Sequence, residues 1–173
     1  MKMKIVGAAF VLISSGGIGF LYAQQLIKRV REMEELYQLL KLILGDIRYM
    51  RTTLPEAVEK ARKRHKGSFQ TFLFEVEERL RESPGISFAD IWKEAIKNGL
   101  SLCALKEEDK QKLICFGDAI SAVDRETLMQ CFEQYLYELQ QEASELQRAC
   151  AAKVKLYRCL GIMSGFFLVI LFI

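Results

Sequence analysis

Apolar residues open and close this chain, and between them apolar and polar positions alternate at helical spacing. Residues 5–23 form a charge-free run, and residues 160–173 form another. A bilayer core about 30 Å thick takes roughly 20 helical residues, so the first run suits a membrane anchor. The second reaches spanning length when counted from Tyr157, with Arg158 reaching back to the interface. The pattern predicts an N-terminal transmembrane anchor over 1–23, a helical domain over 24–156 and a C-terminal transmembrane segment over 157–173. Lys2 and Lys4 precede the first run as in a signal peptide. Cleavage after Ala23 would, however, place bulky Leu21 at a small-residue position, so the run reads as an uncleaved anchor. Lys28, Arg29 and Arg31 follow it, and Arg148, Lys153, Lys155 and Arg158 precede the second run. These outweigh Lys2 and Lys4, which predicts that the middle domain is cytoplasmic.

Leu26, Val30, Met33, Leu36, Leu40, Ile43, Ile47 and Met50 recur in steps of three and four, one stripe of a long helix leaving the first run. Thr53 and Glu56 have capping-box spacing with Pro55 in the first turn, so a second helix begins at Leu54. It fades in the basic run 60–66. Ser68 is placed to cap a third helix, with Phe69, Phe72, Leu73, Val76 and Leu80 inward, ended by Ser83, Pro84 and Gly85. Ser87 opens a fourth helix carrying Phe88, Ile91, Trp92, Ala95 and Ile96, with Asn98 and Gly99 as its stop. The acids Glu107, Glu108 and Asp109 suit the start of a fifth helix, striped by Leu113, Phe116 and Ile120. Asp124 can cap a sixth, whose stripe runs from Leu128 through Phe132, Tyr135, Leu139 and Cys150 to Tyr157. The expectation is an all-α, six-helix bundle-like domain whose two long antiparallel helices continue into the membrane segments.

Charge and composition narrow the function further. The net charge of +3 is small and the acids and bases are interspersed, so no nucleic-acid footprint is visible. Five cysteines form no CxxC pair, and His65 is the single histidine. Metal sites need converging thiolates or imidazoles, so the cysteines are read as small buried hydrophobes. No phosphate-binding loop is present, since Gly16, Gly17 and Gly19 lie inside the apolar run without a following lysine. No catalytic constellation emerges; neither enzyme activity nor a cofactor is expected, and His65 reads as a solvated surface residue.

Three stretches could be contact surfaces. Residues 46–57 read either as capping and core packing or as a partner surface. Residues 60–66 complement a helix dipole, or else meet anionic lipid or an acidic partner. In 116–126, Gly117 permits close helix approach, Asp124 is a natural cap, and Arg125 and Glu126 could meet a partner. Gly161 and Gly165 have the spacing that brings membrane helices together, which makes self-association a further possibility.

The apolar run at each end, Tyr49 with Thr52, Thr53, Leu54, Glu56 and Ala57, the lone Trp92, and Phe116, Gly117, Asp124, Arg125 and Glu126 together carry a resemblance. Across essentially its whole length the chain resembles the stage III sporulation protein AB family. That resemblance implies a domain similar to the cytoplasmic F-type domains of type II secretion and type IV pilus platform proteins. It also implies a place in the channel complex between mother cell and forespore, in the mother-cell-derived outer forespore membrane. The implied partners are a secretion-type ATPase, stage III sporulation protein AA, and other stage III channel proteins. Under this reading Arg48, Tyr49, Arg51, Asp124, Arg125 and Glu126 are the partner-contact residues, and Thr53, Glu56, Trp92, Phe116 and Gly117 are structural. Rival readings are a platform subunit of an ordinary secretion or pilus system, a two-span signalling adaptor, and a membrane-anchored enzyme. Such platforms usually carry two related cytoplasmic domains, and an adaptor needs an outer ligand-binding region.

Overall fold

A computed structural model describes residues 2–82, 85–121 and 123–172. Side chains are described over 21–150, apart from 83, 84 and 122, and beyond that at 152, 154–156, 159 and 163. The apolar runs over 5–23 and 160–173, the Gly161–Gly165 pair and the Ser83–Pro84 stop therefore fall largely outside the described residues. Six helices follow one another: α1 (Lys2–Tyr49), α2 (Leu54–Arg64), α3 (Gln70–Glu82), α4 (Phe88–Gly99), α5 (Glu107–Ile120) and α6 (Arg125–Phe172). No strand occurs among the described residues, so the fold is all-α. Among the residues whose side chains are described, no helix is long and apolar enough to cross a membrane.

The chain divides into two compact units, residues 31–143 and residues 1–30 with 144–173. In the second unit Ala23 and Cys150 are buried, while Leu21, Tyr22 and Leu156 are exposed. The first unit holds the larger core. Met33, Leu36, Leu40, Ile43 and Ile47 of α1 are buried, the helical stripe read from the sequence. Helices adjacent in sequence pack together, α2 on α3, α3 on α4 and α4 on α5. An aromatic chain ties α3 to α6. Phe72 meets Trp92 edge-on at 4.9 Å, Trp92 meets Phe116 at 6.2 Å, and Phe116 meets Phe132 at 4.8 Å. Trp92 is 1% exposed, and its indole N–H donates to the Leu113 carbonyl at 2.9 Å. A buried indole donor without that acceptor would cost about 1–3 kcal/mol.

Helix starts follow local chemistry. The Glu56 carboxylate accepts the Thr53 N–H at 3.2 Å, and Pro55 sits in the first turn of α2. Ser87 Oγ accepts the Asp90 N–H at 3.2 Å. Asp109 reaches back to the Lys106 N–H at 2.8 Å. Each accepts a donor that the helix itself leaves unpaired.

Several expectations need correction. Ser68 does not cap α3; it lies in a turn closed by the Gln70 N–H on the Gly67 carbonyl, and α3 starts at Gln70. Gly99 does end α4, as its last residue, but it has a second duty that the sequence does not show. A Cβ there would lie 2.5 Å from Phe72 Cα, so the glycine lets α4 press against the α3 backbone. Met50 is 65% exposed because α1 ends one residue before it. Only Cys150 is buried; Cys103 and Cys131 are half-buried, and Cys115 and Cys159 are exposed. His65 is not a solvated surface residue, since its Nε2 lies 2.8 Å from Glu35 Oε1 and both side chains are largely covered.

Candidate functional site: the helix-end tip

The C-terminal turn of α1 leaves backbone carbonyls with no partner in their own helix, and they carry the negative end of its dipole. Arg125, in the first turn of α6, supplies the missing donors. Its guanidinium donates to the Ile47 carbonyl at 2.6 Å and to the Arg48 carbonyl at 3.3 Å. Asp124 fixes the start of α6 that carries this arginine. Its carboxylate accepts the Glu126 N–H at 3.0 Å, the Thr127 N–H at 3.3 Å and the Thr127 hydroxyl at 2.6 Å. The Thr127 hydroxyl, followed by the Thr127 backbone, holds the Asp124 carboxyl below the usual carboxylate range.

Past α1 the chain turns sharply. The Met50 N–H closes on the Asp46 carbonyl at 3.0 Å, and Arg51 takes φ 54°, the left-handed region that favours glycine. From there Thr53 leads into α2. Arg48 pairs with Glu133 of α6, and the hydrogen bond to that carboxylate raises the pKa of the guanidinium. Behind the pair lies a cleft of about 340 Å³, whose lining includes Tyr37, Leu44, Arg48, Tyr49, Leu136 and Tyr137. Gly45 also lines it, and a Cβ there would meet nothing within 4 Å.

Two stretches that are far apart in sequence thus meet at one end of the 31–143 unit. Their duties differ. Arg125 and Asp124 are engaged with helix ends, and Arg48 is engaged with Glu133. Tyr49 is 80% exposed, and Arg51 is exposed without a hydrogen bond or ion pair among the described residues. Glu126 is exposed beside them. Trp92, Phe116 and Gly117 lie in the core instead: a Cβ on Gly117 would sit 2.1 Å from the Trp92 ring. The capping of α1 by Arg125 and the Arg48–Glu133 pair escape sequence reading, because each joins residues 77–85 positions apart.

The basic run 60–66 is largely engaged within the fold. Arg62 pairs with Glu77, Lys63 with Glu59, Arg64 with the buried Asp46 at 3.2 Å, and His65 with Glu35. Lys63 holds the Glu59 carboxyl below its ordinary pKa. The first three pairs use cations that the sequence offers to lipid or to an acidic partner. Among the described residues no three His, Cys, Asp or Glu side chains converge to hold a metal ion.

Comparisons with known proteins add the following. The family model described as Stage III sporulation protein AB matches residues 4–173. A relative of that description from Bacillus subtilis (strain 168) is 23% identical over 169 residues, covering 98% of each chain. A solved structure described as Stage III sporulation protein AB has a TM-score of 0.64 and 20% identity, covering 72% of this chain and 97% of its own. At that identity the likeness speaks to the fold.

Proposed function

Because the chain belongs to the stage III sporulation protein AB family, we propose that it is a non-enzymatic membrane platform of the sporulation channel complex. It is anchored through the charge-free runs 5–23 and 160–173, with the domain between them on the cytoplasmic side of the mother-cell-derived membrane. Its partners are a secretion-type ATPase, stage III sporulation protein AA, and other stage III channel proteins. The tip is the contact face, and α1 and α6 are the elements along which displacement passes.

One observation carries this reading. Tyr49, Met50 and Arg51 are exposed at a turn where the backbone is held on three sides: by Arg125, by the Asp46 carbonyl and by the α2 cap. A rigid turn that presents an aromatic ring, a thioether and a free cation is pre-organised for binding, because little freedom is lost on contact. Continuous helices support the mechanical part, since α1 and α6 each run 48 residues without a break.

The test is crosslinking of the full-length chain, extracted in mild detergent from membranes of sporulating cells. Crosslinks from 46–57 or 124–126 to the ATPase or to channel subunits are expected, and Arg51→Glu with Tyr49→Ala removes them. Self-crosslinks alone, with the rest of the complex recovered intact, would overturn the coupling.

A further inference from the structure

A second and larger hollow lies away from the tip, between α5 and α6 of the 31–143 unit. It is an open trough of about 710 Å³, and none of its lining residues belongs to 46–57 or 124–126. Its floor is aromatic. Phe116 stacks on Tyr135 with centroids 4.5 Å apart and planes 17° from parallel. Ala119, Cys115 and Cys131 extend the apolar surface on either side. The Tyr135 hydroxyl has no hydrogen-bond partner among the described residues. Burial pushes its pKa well above the usual phenol value, so it stays a neutral donor.

The rim is acidic. Glu107, Glu108 and Glu138 line it against a single cation, Lys112. That lysine is taken up by the Glu142 carboxylate at 2.7 and 2.9 Å, which raises its pKa. Glu107 is shared with Lys110 at 2.8 Å. Glu108 makes no hydrogen bond or ion pair among the described residues, and Glu138 accepts only the Gln134 amide at 3.2 Å. The trough therefore offers apolar aromatic area beneath uncompensated negative charge.

We infer that the α5–α6 trough docks a lysine- or arginine-bearing apolar segment of a partner protein, its apolar side chains on Phe116 and Tyr135 and its cations between Glu108 and Glu138. Charge complementarity selects this occupant. A second copy of this chain fits less well, because three of the five lysines and arginines in its densest basic run are already held by Glu77, Glu59 and Asp46. The inference does not rest on the platform reading.

The experiment uses the full chain in zwitterionic nanodiscs. The probe is a labelled leucine–lysine amphipathic helical peptide, and a leucine–glutamate peptide of equal length is the control. Binding is followed by anisotropy, and alkylation of each cysteine by mass spectrometry. Cys115 in the trough and Cys159 in the other unit are both exposed. The lysine peptide is expected to slow Cys115 alkylation and leave Cys159 unchanged, while the glutamate peptide does neither. Ala119→Trp fills the trough from an exposed position, and its unfolding midpoint is checked separately. It should weaken the lysine peptide roughly tenfold or more, a loss of about 1.4 kcal/mol. Glu108→Lys with Glu138→Lys should do the same, and Glu78→Lys with Glu82→Lys on α3 should not. Absence of binding, binding that leaves Cys115 reactive, or equal loss in the α3 variant overturns the assignment. So does an Ala119→Trp variant that instead breaks up an oligomer of the full chain, because the trough would then seat a second copy.

Discussion

Replacing Gly117 with alanine puts a methyl group where the structure has no room for one. The new Cβ would stand 2.1 Å from Trp92 Cδ1, 2.7 Å from Cγ and 2.8 Å from Nε1. The indole cannot step aside easily, since Phe72 meets it at 4.9 Å, Phe88 at 5.4 Å and Phe116 at 6.2 Å. Forcing extra volume into such a core costs about 1–3 kcal/mol. If the ring tilts, the hydrogen bond to the Leu113 carbonyl is lost, and a buried donor left unpaired adds about 1–3 kcal/mol. Alanine returns about 1 kcal/mol through its better helix propensity. The net expectation is a destabilisation of about 2–4 kcal/mol, which for a chain of this length lowers Tm by roughly 5–15 °C.

Trp92 is the only tryptophan, so its fluorescence reports unfolding and the local packing at once. Thermal unfolding of the full chain should show a lower midpoint and a red-shifted native emission in Gly117→Ala. Gly45→Ala is the internal control. A Cβ there meets nothing within 4 Å, so only the propensity gain of up to about 1 kcal/mol remains and the midpoint should hold or rise. A Gly117→Ala variant as stable as the parent, with unchanged emission, would refute the claim that this glycine exists to admit the indole.

Three further expectations follow from single positions. Gly99→Ala brings a Cβ to 2.5 Å from Phe72 Cα and 2.7 Å from Phe72 N; backbone cannot rotate away, so a loss of about 1–3 kcal/mol is expected in the same unfolding assay. Asp124 has its carboxyl pKa lowered in the fold, by the Thr127 hydroxyl first. Its contribution is therefore complete above the unfolded carboxyl pKa and disappears as pH falls through the lower folded value. Asp124→Asn, which keeps an acceptor at the cap, should flatten the acid limb of the Tm–pH curve while changing little at neutral pH. Arg51→Gly relieves a left-handed φ of 54° and should leave the midpoint unchanged or raise it, by up to about 1 kcal/mol.

Much of the fold is legible because its signals are local. The apolar stripes of α1 and α6 recur every three to four residues, and Thr53 with Glu56, Ser87 and Asp124 announce helix starts within one turn of themselves. Gly117 was readable as a place of close approach, although not as the seat of Trp92. What escaped depends on partners remote in sequence. His65 looks solitary until α1 brings Glu35 beside it. Gly99 after Asn98 reads as a helix stop, which it is, but its close approach to the Phe72 backbone shows only when α3 is laid against it. Ser68 looks like a cap, but the turn from Gly67 to Gln70 uses backbone donors and acceptors instead. The exposed cysteines read as buried for a related reason. Burial of a small residue depends on which face of its helix is covered, and Cys115 falls one position off the buried stripe of Leu113 and Phe116.

The tip is where the local and remote signals intersect, and its residues divide by what the fold already asks of them. Arg125 donates to two α1 carbonyls, and Asp124 receives three donors from its own first turn. Removing either disturbs helix ends, so lost binding in such a variant has two explanations. Tyr49 and Arg51 carry no such duty. One is an exposed ring, and the other an exposed cation in a backbone conformation that glycine would hold with less strain. Under the proposed platform reading, contact at this end of the molecule would fall first to Tyr49 and Arg51, with Arg125 and Asp124 as the residues that hold the turn in place.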